Sequence, residues 1–100
     1  MTRQALVAWI RRRVPAPPEA LREHLEAAAT DTPEPLPEHL ARLAAELLTR
    51  VSNRPEGGRE LALDLLAADA LVTYAFEAQA EVDPAGLVGL AERVGAGTPS

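Results

Sequence analysis

Apolar residues recur through most of this chain at three- and four-residue spacing, the period of helices that each bury one face. Proline and glycine cut the pattern into five helical segments. The first is predicted over 2–14, with Thr2 as N-cap and Pro15 forbidding continuation. On its wheel Leu6, Val7, Ile10 and Val14 share a face, Trp9 lies at the edge, and Arg13 falls inside the apolar arc between Trp9 and Leu6. Pro15 to Pro18 form a stiff connector into a second helix over 18–29, where proline suits the first turn. There Leu21, Leu25 and Ala28 line up while Glu19, Glu23 and Glu26 face away.

The segment 30–37 carries Pro33, Pro35 and Pro37 at alternate positions, a pattern of extended polyproline geometry and hence of a linker or exposed loop. The third helix, 38–52, has the cleanest amphipathic pattern. Leu40, Leu43, Ala44, Leu47, Leu48 and Val51 occupy one side, and Glu38, His39, Arg42, Glu46, Thr49 and Arg50 the wet side. A turn follows from Asn53 to Gly58. The fourth helix, 59–81, is the longest and projects two apolar stripes, one with Leu61, Leu65, Ala68, Val72 and Phe76, the other with Leu63, Ala67, Ala70, Leu71 and Tyr74. A helix apolar on two sides is central, so Leu65, Leu66, Val72 and Phe76 are expected in the core. Asp69, Thr73 and Glu77 mark a narrow solvent strip, and Asp64 stands apart between Leu71 and Ala75. The last helix, 84–94, opens on Asp83 as N-cap and Pro84, buries Leu87, Leu90, Ala91 and Val94, and frays at Gly95–Gly97. The expectation is one all-α domain, a small bundle of about five helices around a long, largely buried fourth.

Composition strengthens the helical reading, because 20 of the 100 residues are Ala and 15 Leu, against 8 Val and Ile together and 3 aromatics. A core of such small residues is thin, and a partner subunit is one way to complete it. The formal charge of -5 is a poor basis for holding polyanions. With no cysteine, disulfides, thiol catalysis and cysteine-bearing zinc sites are excluded. The apolar run from Ala5 to Ile10 is too short for a secretory signal, and no segment approaches the ~20 apolar residues of a bilayer span, so a soluble, cytoplasmic protein without membrane insertion is expected.

Candidate chemistry is sparse. His24 and His39 lie on different helices and complete no metal-ligand spacing, so neither a metal nor a cofactor is expected. Glu60, Asp64, Asp69, Glu77 and Glu81 suggest general acid–base chemistry, but helix-dipole and solvent-strip roles account for most of them. Arg11, Arg12 and Arg13 suit either a helix C-terminus or an anionic partner. Arg12, Pro15 and Pro18 formally match the Arg-x-x-Pro-x-x-Pro ligands of SH3-like grooves. Arg13, inside an apolar arc, either runs its stem along the core with its head in water or pairs with Asp64. The functional expectation is a non-enzymatic interaction module, a scaffold, adaptor or accessory subunit, whose partner is another protein chain or a second copy. The interaction candidates are Trp9, Arg12, Arg13, Asp64 and Asp69. A small enzyme or ligand-binding domain using Asp64 or Asp69 beside an Arg or His is the alternative, and a helical DNA-binding regulator using Arg11–Arg13 is the third.

Overall fold

The computed structural model describes residues 1–53 and 58–97, all helix and connection, in the order α1 (Arg3–Arg11), α2 (Glu19–Ala28), α3 (Leu36–Ser52), α4 (Arg59–Val82) and α5 (Leu87–Gly97). A single 3₁₀ turn, Pro84–Gly86, joins the last two. Of the expected turn from Asn53 to Gly58, residues 54–57 lie outside the described residues. Gly58, at its end, has φ +145°, a conformation that only glycine adopts without strain. The fold is an all-α bundle in which α3 and α4 form the most extensive pairing, and α2 and α5 also pack on α4. No helix among the described residues is long and apolar enough to cross a membrane.

Local chemistry sets the helix ends. Thr2 Oγ1 accepts from the Ala5 amide at 3.1 Å and caps α1 as expected. The helix stops at Arg11, three residues short of the predicted Val14. Two i+3 bonds, Arg12 N to Trp9 O and Arg13 N to Ile10 O, tighten the last turn, and the Arg13 guanidinium Nε also donates to Trp9 O. Those carbonyls are thereby satisfied without further helix, while Pro15 pushes Val14 toward extended backbone. Val14 therefore leaves the apolar face and is 92% exposed, contrary to the wheel.

The proline-rich stretch is not a loose loop. Helix α3 begins at Leu36, two residues early, because Pro37 fits the first turn. Thr32 is buried, and its amide and carbonyl pair with the carbonyl and amino nitrogen of Met1 at 3.0 and 2.6 Å. Arg42, ion-paired with Glu34, also donates to Thr32 Oγ1, so the connector is stitched to both α1 and α3.

Buried positions of α4 form one continuous arc: Asp64, Ala67, Ala68, Leu71, Tyr74, Ala75, Ala78 and Gln79. This replaces the predicted two stripes. Leu65 and Leu66, expected inside, are 46% and 53% exposed, and Val72 and Phe76 are only partly buried. Alanines on the inner arc bring the neighbouring backbones close around Leu71, while Leu65 and Leu66 lie outside it. The strip of Asp69, Thr73 and Glu77 is exposed as read. In α5 Leu90 is fully buried, Ala91 is exposed where burial was expected, and the helix continues through Gly97.

His39 is the clearest reversal on α3, at 0% exposure on a face read as wet. Arg42 Nη2 donates to its Nδ1 at 3.3 Å, which requires a lone pair there and so a neutral ring. Burial first, and the Arg42 charge second, hold its pKa below the ordinary 6.5; Glu34, the Thr30 backbone and Glu46 oppose them. The stability gained by keeping this ring neutral is fully present above pH 6.5 and is lost as the pH falls below that value toward the native pKa. Urea midpoints should fall as the pH drops below about 6.5, before most carboxylates titrate, and the slope should flatten in His39→Leu. A variant that keeps the wild-type slope rules His39 out as its source.

Candidate functional site

Asp64 sits in the middle of the buried arc of α4, and a carboxylate there is tolerable only with hydrogen-bonding partners. One comes from α2: His24 Nε2 lies 2.5 Å from Asp64 Oδ1, with the aspartate 1% exposed and the imidazole about a quarter exposed. A carboxylate only accepts, so Nε2 carries the proton of this bond. Nδ1 makes no intramolecular hydrogen bond among the described residues. The alternative in which Arg13 pairs with Asp64 is thereby overturned.

Arg13 is held by another part of α4. Its Nη1 reaches Glu81 Oε1 at 3.0 Å and Glu77 Oε2 at 3.3 Å, and its guanidinium carbon lies 3.7 Å from the Trp9 ring centroid. The side chain is only 15% exposed, so it does not run out to water either. Trp9 completes the clamp, meeting Tyr74 edge-on with centroids 5.7 Å apart and donating from Nε1 to Glu81 Oε2 at 3.4 Å. The hydrogen bond from Arg13, then that from Trp9, outweigh partial desolvation and hold the Glu81 carboxyl below its ordinary pKa. Burial and the Glu77 charge push the Tyr74 phenol up. Trp9 and Arg13 thus dock α1 on α4.

The remaining candidates are dispersed. Arg12 is the exposed C-cap of α1 and makes no ion pair among the described residues. Arg11 is bound by Glu26 of α2 at 2.8 Å, which leaves Arg12 as the uncommitted member of the basic run. Asp69 is exposed, and its carbonyl accepts from Thr73 Oγ1 at 3.1 Å. Asp64 and Asp69 therefore face opposite ways and form no acid–base pair.

Two hollows flank α3. Between α3, α4 and α5 lies a groove of about 240 Å³ with Ala41, Ala45, Leu48, Val72 and Val94 on its walls and the Glu38–Arg93 ion pair at its edge. Between α2 and α3 lies a more polar furrow of about 320 Å³, lined by His24, Ala27, Ala28, Thr30, Leu43, Glu46, Leu47 and Arg50. Sequence reading did not single out Glu46 or Arg50. The available signal was that Asp64 inside an apolar arc and His24 at the border of one are complementary, which fixes α2 against α4 and leaves the furrow beside it. No group of three or more His, Asp and Glu among the described residues is placed to hold a metal ion.

Comparison with protein-family models, with curated proteins and with solved structures finds no match.

Removing the imidazole in His24→Leu deprives the buried Asp64 of its bond from α2 and should cost about 3 kcal/mol, the low end for stranding a buried carboxylate because Asp64 retains another interaction. Adding Asp64→Leu should recover part of that loss. Arg13→Lys keeps the charge but loses the planar stack on Trp9, at a cost of about 0.5–1 kcal/mol. Coupling between Arg13→Met and Asp64→Asn should be near zero in a urea double-mutant cycle; strong coupling contradicts the separate pairings.

Proposed function

We propose that this chain is a non-enzymatic helical interaction module whose docking surface is the outer face of α4 and whose partner is a second copy of itself. One observation carries the reading: the longest helix keeps two adjacent leucines, Leu65 and Leu66, about half exposed, while half of its inner arc is alanine. Ala62, Thr73 and Ala80 extend the same exposed face, a surface of small residues with room for a closely crossing helix. Arg59 and Asp69 flank the leucine pair. When two such helices cross antiparallel about an axis at Leu65 and Leu66, each arginine comes toward the other copy's aspartate, as a two-fold interface requires.

The basic run gives less support to a nucleic-acid partner. Arg11 and Arg13 are held by acidic side chains, and Arg12, the one member of that run with no ion pair among the described residues, is a small electrostatic footprint on a chain of charge -5. The enzyme alternative has the His24–Asp64 pair in its favour.

Sedimentation or light scattering at about 10–200 μM, a range suited to micromolar association, should give a mass near twice 10.7 kDa. Leu66→Glu should return the monomer. Arg59→Asp and Asp69→Arg should each weaken the dimer, and the double swap should restore it. A monomeric wild type over this range, or a double swap no better than either single variant, overturns the reading.

A further inference from the structure

The furrow between α2 and α3 has the polarity of a small-molecule site. Helix α2 packs on α4 and less closely on α3, and the space between α2 and α3 is floored by Leu43, Leu47, Ala27 and Ala28. Charged and polar groups on its walls are uncommitted: neither Arg50 nor Glu46 makes an ion pair among the described residues, although they stand one helical turn apart. The His24 ring is oriented by the buried Asp64 behind it, so a neutral imidazole carries a fixed tautomer with Nδ1 as acceptor. A buried carboxylate holding a quarter-exposed histidine in one orientation is a preorganised recognition group, since the ordering cost is met in folding. A volume of about 320 Å³ is at the small end of ligand pockets, roughly 300–1,000 Å³, and suits a molecule of amino-acid size.

We propose that this furrow binds a free aliphatic α-amino acid, its carboxylate on Arg50, its ammonium shared by Glu46 and His24, and its side chain on Leu43 and Leu47. The site offers one cation, one carboxylate, one oriented acceptor and an aliphatic floor, the complement of a zwitterion with an apolar side chain. An anion alone leaves Glu46 repelled, and a cation alone leaves Arg50 unmet. The furrow lies on the far side of α3 from the Val72–Val94 groove, and its lining excludes the outer face of α4, so the inference stands apart from self-association.

The probe is L-leucine, titrated to about 20 mM to cover millimolar affinity, with the His24 imidazole proton resonances followed by NMR. A saturable shift at His24 is expected. Arg50→Gln should weaken L-leucine and 4-methylpentanoate by about tenfold or more while leaving isoamylamine unchanged, and Glu46→Gln should weaken L-leucine and isoamylamine but not 4-methylpentanoate. Both side chains are exposed and make no ion pair among the described residues, so the variants should keep the wild-type circular dichroism spectrum and urea midpoint. Absence of a saturable shift overturns the proposal. So does isoamyl alcohol binding as tightly as L-leucine, which would mean apolar filling alone, or equal loss of all probes in both variants.

Discussion

The bundle depends on the alanine-rich inner arc of α4. Ala67, Ala68, Ala75 and Ala78 are all essentially inaccessible, and with no side chain beyond Cβ they allow neighbouring backbones to approach closely. Depth then comes from residues the other helices bring in: Leu6 and Ile10 from α1, Leu25 from α2, Leu40 from α3 and Leu90 from α5. A central helix with larger residues on this arc would hold its neighbours further apart and open voids between them. Half of the inner positions are alanine, with Leu71 and Tyr74 the large apolar residues among them, and Leu65 and Leu66 are left on the outer side.

Within that arc Asp64 is the one carboxylate, and its burial constrains the placement of α2. Helix α2 buries Leu25 and little else fully, so its apolar grip is modest. The bond from His24 adds a directional contact that Leu25 alone lacks. Helix α1 is short in the same way and is also held by polar contacts beside its apolar face, with Arg13 stacked on Trp9 and reaching two carboxylates one turn apart on α4. Two marginal helices are therefore each pinned to the central one by a charged residue against its complement. The furrow results from this arrangement, since α2 is held down on α4 and not across to α3.

Element type and order were legible in the sequence because proline, glycine and caps act locally. Thr2 and Asp83 do at their helix starts what their side chains dictate, each accepting from an amide two or three residues on. What was not legible depends on neighbours distant in the chain. A wheel of α4 shows Leu65 and Ala68 as equally apolar, and only the arrival of other helices on one side decides which is covered. His39 reads as wet because its own helix places it among polar residues, yet Met1, Thr32 and Arg42 organise the connector that accompanies its burial. For the candidate site the sequence marked Asp64 and Arg13 as residues inside apolar arcs, and offered Arg13 either an escape to water or a bond to Asp64. Each has a different partner, and the early end of α1 is part of the reason, because it lets the Arg13 side chain turn back along Trp9.

The two proposed surfaces use α4 in different ways, and Asp64 and Leu65, adjacent in sequence and about 100° apart on the helix, belong to different faces of it. Asp64 orients the imidazole at the furrow, and Leu65 stands on the outer face. A helix anchored on its inner side by close alanine contacts moves as a body, so a ligand and a second copy influence one another only if either shifts α4 relative to α2 or α3. Differential contact in two arrangements is the physical requirement for such coupling. The His24–Asp64 bond is where it would act, because it joins the furrow wall to the central helix directly. Without a shift there, the outer face and the furrow are independent sites on one rigid support.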